Sequence, residues 1–355
     1  MGTFTPHLHP MLIGSMPLTD HGAAMDLVAR YTPEIPLWVQ LPKRTADEQM
    51  VPQFMHGMPG YIHDGDQRFI NTADRGALDG EILSFYEDYL ACQEASETPE
   101  RFRLAPAAAG GFNALKAYLN QPAQEPLAVK GQITGPITFG MGVKDAAGRA
   151  IFYDDQLRDA AVKLLAANAQ WQVRELSISN GPVILFLDEP ALAGVGSSEM
   201  ISISADEIHT ALAEVVAAVH AEGGLAGIHV CANTDWAVVL NSGVDIVNFD
   251  AFTYFDRLIL YADTIKAFLQ EGGVLAWGIV PTADPDVIKE TTVDQLVKMW
   301  KDQAGQITAL GFEEEVVAAQ SLITPSCGLG SLMPTAAQGV LGLLGNLSQV
   351  LRNER

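Results

Sequence analysis

Short apolar runs alternate with longer amphipathic segments along this chain. Eight of the runs are continuously apolar and lack the polar alternation of a sheet with one face in water, so we predict strands buried on both faces. They are Met11–Gly14, Pro36–Gln40, Leu127–Ile133, Val183–Leu187, Ala226–Val230, Asp245–Phe249, Val274–Ile279 and Ser321–Thr324. Strand, helix and strand in repetition predict parallel pairing with right-handed crossovers.

The segments between these runs carry helix signals. Ser204 opens a capping box with Glu207 at the third helical position. The apolar stripe from Ala205 to His220 then stops at Gly223-Gly224, where glycine can adopt a left-handed conformation. Further helices are predicted over Arg257–Gln270 and Val293–Leu310 and from Pro334 onward.

Eight strand–helix units favour a single α/β domain, a closed (β/α)8 TIM barrel over residues 1–355, with an open doubly wound sheet as the alternative. Residues 41–126 are too many for one connection, and we predict that they form a mainly helical insertion between the second and third strands. In such a barrel the active site lies at the C-terminal ends of the strands.

The net charge and the hydropathy of the chain limit the kinds of molecule that it could bind. Acidic residues outnumber basic ones 43 to 21, a formal net charge of -22. Such a surface repels nucleic acid and anionic membranes. No apolar stretch approaches the roughly 20 residues that span a bilayer, and the first ten residues lack the pattern of a secretory signal. We therefore expect a cytoplasmic protein with neither nucleic-acid nor membrane partners.

Two of the three cysteines stand where predicted strands end. His229 and Cys231 are two residues apart and project to the same side of a strand, and Cys327 follows the eighth strand. Nitrogen and sulfur ligands favour zinc, and three protein ligands leave a fourth position for substrate. The alternative is a hydrogen-bonded core histidine beside buried, apolar cysteines. Asp250, at the end of the sixth strand, is either a fourth ligand or a hydrogen-bonding neighbour of the ligands.

Polar residues at other strand ends are candidate substrate contacts. Asp188 directly follows the fourth apolar run, and a carboxylate at this place favours a substrate cation such as an amino group. Glu189 is of a type that often caps a helix. Ser15 and Thr134 either hydrogen-bond substrate or complete their strands. The chain contains no glycine-rich nucleotide motif, no HExxH and no GxSxG.

In their order along the chain, these residues resemble the cobalamin-independent methionine synthase family. The shared motifs are Ile13-Gly14-Ser15-Met16-Pro17, Val129-Lys130-Gly131, Thr134-Gly135-Pro136-Ile137-Thr138, Asp188-Glu189-Pro190-Ala191-Leu192, His229-Val230-Cys231 and Cys327-Gly328-Leu329. The chain resembles the family's C-terminal catalytic barrel and, more broadly, the uroporphyrinogen decarboxylase/methionine synthase-like superfamily. The resemblance implies a zinc-dependent S-methyltransferase of methionine biosynthesis.

The resemblance also assigns roles to individual residues. It implies zinc ligation by His229, Cys231 and Cys327. Asp250 falls where the family has a glutamate ligand, and we expect it to coordinate zinc when the substrate site is empty. Asp188 takes the position that holds the amino group of homocysteine, and Ser15 lies where the carboxylate end is bound.

Three departures from the family bear on the substrates. Its duplicated N-terminal barrel has no counterpart in these residues, the loop Gly278–Pro285 lacks the family's histidine, and His56-Gly57-Met58 stands nearest to its HGE motif. We therefore expect a small-molecule thiol, homocysteine-like or other, as acceptor. The expected donor is a methylcorrinoid, free or on a carrier protein, in preference to methyltetrahydrofolate. The alternatives are a metal-free decarboxylase of the same superfamily, with Arg44 near its polycarboxylate substrate, and a non-catalytic barrel that binds a corrinoid protein.

Overall fold

The computed structural model describes residues 4–65, 67–94, 97–194 and 203–354. The strands are β1 Tyr61–Asp64, β2 Gln67–Ile70, β3 Val129–Thr134, β4 Val183–Asp188, β5 Leu225–Val230, β6 Ile246–Phe249, β7 Val274–Val280 and β8 Ser321–Pro325. The helices are α1 His21–Tyr31, α2 Arg75–Glu94, α3 Gly110–Leu119, α4 Pro136–Gly142, α5 Asp155–Leu176, α6 Ala205–Ala221, α7 Trp236–Leu240, α8 Ala251–Leu258, α9 Ala262–Gln270, α10 Pro285–Glu290, α11 Val293–Thr308, α12 Glu314–Ala319 and α13 Pro334–Asn353.

Six strands form one parallel sheet whose spatial order, β3-β4-β5-β6-β7-β8, follows the chain. They correspond to the last six predicted strands, so this part of the predicted α/β architecture is confirmed. The sheet is curled, and its strands alternate between two apolar clusters. On β4, for example, Ile184 and Phe186 belong to a small inner cluster, while Leu185 packs into the larger layer shared with the helices.

The first two predicted strands are not regular strands, and an eight-stranded sheet is therefore not observed. Met11–Gly14 and Pro36–Gln40 lie along the two edges of the sheet through isolated backbone pairs: Pro10 pairs with Ile323, and Leu37 with Lys130. Proline has no N–H to donate, so Pro10 and Pro36 each interrupt a ladder of hydrogen bonds. Ser15 and Gln40 pair with each other, which brings the two segments together.

The segment 41–126 contains α2 and α3 and also the antiparallel pair β1 and β2, which the apolar pattern does not predict. One part of it lies over the sheet. The Thr134 hydroxyl, at the end of β3, donates a hydrogen bond of 2.5 Å to the Met50 carbonyl. Gln40 donates at 2.7 Å to Gln53, which donates in turn to the Ala108 carbonyl. The segment therefore forms one wall at the C-terminal edge of the sheet.

The helix signals in the sequence are largely confirmed. Ser204 and Glu207 form the reciprocal capping box at the start of α6, and Gly223, just beyond its end, has a φ of 76°. α13 begins at Pro334 as predicted, whereas the predicted helix over Arg257–Gln270 is divided between α8 and α9. None of the helices in the described ranges combines the length and apolar character needed to cross a bilayer.

A buried carboxylate fastens β4 to α4. Both oxygens of Glu189 accept hydrogen bonds at the start of α4, from the amides of Ile137 (2.9 Å) and Thr138 (2.8 Å) and from the Thr138 hydroxyl (2.6 Å). These amides have no partner within the helix itself. Glu189 thus caps α4, the helix that follows β3, and not a helix that directly follows Glu189 itself, and it sets the end of β3 beside that of β4.

Gly135 leaves the space that this carboxylate occupies. A Cβ at position 135 would lie 2.2 Å from Oε1 of Glu189, whose side chain is fully buried. We predict that Gly135→Ala lowers the free energy of unfolding by about 1–3 kcal/mol, the usual range for overpacking. The control is Gly80→Ala on the exposed side of α2, where no atom of the described residues lies within 4 Å of the added Cβ; it should stabilise the helix by about 0.5–1 kcal/mol. Urea denaturation measures both, and equal stability of the two variants would contradict the prediction.

Candidate metal centre

Three potential ligands converge at the C-terminal edge of the sheet. His229 lies on β5, Cys231 directly follows that strand, and Cys327 follows β8. One ligand atom from each lies within 4.8 Å of the other two, which is a separation that a single metal ion can bridge. The convergence predicted from the strand ends is therefore present, and the group could hold a metal ion.

The imidazole of His229 has one engaged and one free nitrogen. It is buried, and its Nδ1 is hydrogen-bonded to Oδ1 of Asn248 on β6. Its Nε2 is also buried and has no hydrogen-bond partner among the described residues. A buried polar atom without a partner is costly. The free Nε2 and the two nearby sulfur atoms together fit a metal ligand set better than they fit a core histidine.

The thiols of Cys231 and Cys327 interact electrostatically and shift each other's pKa. The hydrogen bond between Cys327 and Cys231 lowers the pKa of Cys231 and raises that of Cys327, so the pair favours one thiolate and one thiol. Burial works to lower the pKa of His229, but Cys231 and Asp188 raise it above its ordinary value. These shifts favour negative charge at the Cys231 sulfur, and such a charge would favour a cation at this place.

Asp250 is not part of the three-residue group. Its carboxylate caps α8 by accepting a hydrogen bond of 2.8 Å from the Thr253 amide. The side chain is largely buried, burial raises its pKa, and the Cys231 charge adds to that rise. Asp250 therefore lies close enough to Cys231 for a charge on that sulfur to shift its pKa, but its carboxylate already has a hydrogen-bond partner. Its coordination to a metal stays a prediction.

Asp188 ends β4 beside the ligand group. Its register position pairs with His229 on β5 and with Thr134 on β3. The carboxylate is buried, and its Oδ1 has no hydrogen-bond partner among the described residues. Burial raises its pKa, while Lys130 and His229 work in the opposite direction. An acceptor left open in so buried a place is available to a donor from a ligand.

The counter-charge inside the sheet is Lys130. Its side chain is fully buried, and its ammonium group donates hydrogen bonds to the Ile13 carbonyl and, at 3.0 Å, to Oε1 of Gln132. It also lies 4.7 Å from the centre of the Phe186 ring, a cation–π contact. Burial lowers the pKa of Lys130 to about 8, although Asp188 opposes this shift.

A cavity of about 280 Å³ opens beside the ligand group. Its lining includes the predicted residues Ser15, Asp188, His229, Cys231 and Cys327. Segment 41–126 contributes Glu48, Gln49 and Met50 to the same lining. Thr134 does not belong to the lining, since its hydroxyl is committed to the Met50 carbonyl. A larger cavity of about 920 Å³ lies among α11, α12 and α13 and includes none of the predicted site residues.

The sequence analysis assigned no role in the site to three residues, although one of them, Lys130, stands within a motif shared with the family. Asn248 is the polar residue of an otherwise apolar strand, and Lys130 is a charged residue within a buried strand; these exceptions were the available signal. Met50 carries no comparable signal, because only the fold of the inserted segment brings it to the cavity. The polar residues within the strands could thus have been found from the apolar pattern of the sequence, whereas the part of segment 41–126 that lines the cavity could not.

Neither the scan against protein-family models nor the comparison with curated proteins finds a match for this chain.

Proposed function

We propose that this chain is a zinc-dependent S-methyltransferase that binds a small aminothiol beside His229, Cys231 and Cys327 and methylates its sulfur. The observation that carries the proposal is the buried Nε2 of His229, which has no hydrogen-bond partner in the described part of the chain and lies within reach of two cysteine sulfurs. One nitrogen and two sulfur donors are a typical zinc set, with a fourth position open to substrate. When bound, zinc lowers the pKa of a coordinated substrate thiol, so that the sulfur is a thiolate at neutral pH.

The proposed fold is the complete (β/α)8 barrel. The two irregular segments at the sheet edges would take the places of the first and second strands. Backbone pairing of Ser15 with Gln40 supports this, since it connects the segment beside β8 to the segment beside β3. The position of all candidate ligands at the C-terminal strand ends is also the usual place of a barrel active site.

Asp188 supports an amino group on the substrate. Its open Oδ1 and its burial favour a cationic donor over water, because a charged hydrogen bond offsets the cost of a buried carboxylate. Ser15, in the same lining, would contact the other end of the substrate. The thiol would then be fixed at both ends, with its sulfur toward the cysteines, so that the reacting atoms are oriented before the donor arrives.

The size of the cavity supports a small acceptor and an external donor. About 280 Å³ is just below the range of pockets that enclose drug-sized molecules, which suits one small aminothiol and would leave a bulky corrin donor to approach from outside the cavity. The thiolate would attack the methyl carbon from the side opposite the leaving group. A sulfur–carbon bond forms as the carbon–cobalt bond breaks, its electron pair leaves as Co(I), and the thiol proton goes to solvent.

A metal-free decarboxylase finds less support. Such an enzyme needs cationic side chains around a polycarboxylate, and Arg44 is instead paired with Glu48 at 2.6 Å and does not line the cavity. The open groups at the cavity are an acceptor carboxylate and an imidazole nitrogen beside two thiols. A non-catalytic barrel that binds a corrinoid protein would leave the open Asp188 acceptor without a role.

We predict one zinc ion per chain in the purified protein and strongly reduced zinc in Cys231→Ser and Cys327→Ser. A serine hydroxyl is a much weaker ligand than a thiolate, so each variant should lose most of its affinity. Elemental analysis after dialysis against a mild chelator measures the content, and Cys92→Ser, which alters a buried cysteine outside the group, is the control. Equal zinc content in all four proteins would refute the proposed centre.

The same assay tests Asp250 as a fourth ligand. Asparagine caps helices about as well as aspartate, so Asp250→Asn retains the hydrogen bond from Thr253 and removes only the charge. We expect weaker zinc retention in this variant. The matched control is Asp284→Asn, which alters the cap of α10. If the two variants hold zinc equally well, Asp250 is a cap only.

We predict that Asp188→Asn raises the KM for homocysteine by about 10–100-fold, the size of one lost charged hydrogen bond, with the zinc content unchanged. The desamino analogue of homocysteine provides the control substrate. Because it has no ammonium group to pair with Asp188, the variant and the wild type should use it equally well. A loss of the same size for both thiols would show that Asp188 does not bind the amino group.

We predict that methylcobalamin is a better donor than methyltetrahydrofolate, by about 100-fold or more, the usual size of a general-acid contribution. The nitrogen leaving group of the folate needs a proton, and the loop 278–285 contains no histidine to supply one. Departing Co(I) needs no proton. Thiol methylation rates with each donor, with and without a chelator, provide the measurement. Faster turnover with the folate would reverse this assignment, and no turnover with either would refute the proposed activity.

A further inference from the structure

A fully buried amide lies at the centre of β6. Asn248 is the polar member of a strand whose other residues are Ile246, Val247 and Phe249. In the sheet it pairs with His229 on β5 and with Ala276 on β7. Its Nδ2 donates hydrogen bonds to the Ala276 carbonyl (2.8 Å) and to Oγ1 of Thr324 on β8 (2.7 Å). Both N–H groups of the amide are therefore used.

These partners determine which way the amide is turned. A backbone carbonyl can only accept, so the nitrogen of the amide must point to Ala276 and the oxygen must point to His229. The amide oxygen also can only accept. The bond between Asn248 and His229 therefore requires a proton on Nδ1 of the imidazole, and the lone pair of the neutral ring then lies on Nε2, the nitrogen without a partner.

We infer that Asn248 is a positioning residue for the metal centre: it holds the His229 ring in the Nδ1–H form with Nε2 free for the ion, and it ties β5 to β8, the two strands that carry the cysteine ligands. The inference rests on the proposed function to the extent that the ion is part of that function. Asn248 touches neither substrate nor ion and acts through His229.

The hydrogen bond from Asn248 to Thr324 on β8 means that Asn248 positions more than the His229 ring. His229 belongs to β5 and Cys231 directly follows it, while Cys327 follows β8, three strands away in the sheet. The side chain of Asn248 contacts His229 on one side and Thr324 on the other. One amide thus connects both halves of the ligand set, and its loss would leave the imidazole free to rotate and to exchange tautomers. Loss of such a supporting partner typically lowers metal affinity about 10–100-fold.

A second buried asparagine provides a matched control. Asn168, on α5, donates to the Phe102 carbonyl and accepts from Nε2 of Gln172, both at 2.9 Å. It is buried and hydrogen-bonded on both sides like Asn248, but neither partner belongs to the ligand group. Replacing either asparagine with leucine removes comparable hydrogen bonds, so the two variants separate an effect on the metal centre from a general loss of stability.

The experiment measures zinc affinity by chelator competition in the wild type, Asn248→Leu, Asn248→Asp and Asn168→Leu. We expect about a 10–100-fold loss in Asn248→Leu, no loss in Asn168→Leu, and recovery of most of the affinity in Asn248→Asp, whose carboxylate still accepts from Nδ1–H. The melting temperature should be lower than that of the wild type in both leucine variants. Histidine ¹⁵N NMR of the wild-type protein as purified should find the His229 proton on Nδ1, protected from exchange with solvent.

The outcomes separate the inference from the proposed function. Wild-type zinc affinity in Asn248→Leu, or an equal loss in Asn168→Leu, would overturn the positioning role. A His229 proton on Nε2 in the wild type would overturn it as well, even if the leucine variants fail to fold. If the wild type binds no zinc while His229 carries its proton on Nδ1, the proposed function fails and only the tautomer part of the inference stands.

Discussion

Hydrogen-bond satisfaction inside a parallel sheet buried on both faces is the constraint on which this structure depends. Each polar side chain on the inner face must find a partner there, because water does not reach it. Lys130 meets the requirement through a carbonyl and an amide, and Asn248 through two donors and one acceptor. Among the residues that the structure describes, the exceptions on this face are Oδ1 of Asp188 and Nε2 of His229, and both residues line one cavity.

The charges around that cavity are arranged in layers. Lys130 lies deep in the sheet, over an aromatic ring, and Asp188 lies nearer the strand ends, beside His229. Asp250 and the cysteine pair add further negative character at the edge. A divalent cation would fit such surroundings, and in the proposed function an anionic ligand set would keep a bound substrate sulfur electron-rich. Such a site would suit alkylation of a thiol better than activation of water, which gains from a more electrophilic metal.

The residues that support the site also stabilise the fold. Glu189 connects β4 to α4 immediately after Asp188, and Thr134 fastens the end of β3 to the inserted segment through Met50. Neither needs to contact a substrate in order to matter. By fixing neighbouring strand ends, they keep the cavity walls in place, and in the proposed reaction such walls would preserve the separation between a bound thiol and its donor.

The sequence by itself determined the features that depend on local pattern. Continuous apolar runs predicted β3 to β8, the capping box predicted the start of α6, and the two-residue period of a strand predicted that His229 and Cys231 share a side. The tertiary structure decided which groups meet across the sheet. In the folded chain the first two predicted strands are irregular segments at the edges of the sheet. The Asp250 carboxylate accepts a hydrogen bond from the Thr253 amide, and the Asn248 side chain is hydrogen-bonded to His229. The reason is that periodicity is set by neighbours in the chain, whereas the partner of a buried polar group comes from residues that only the folded chain brings close.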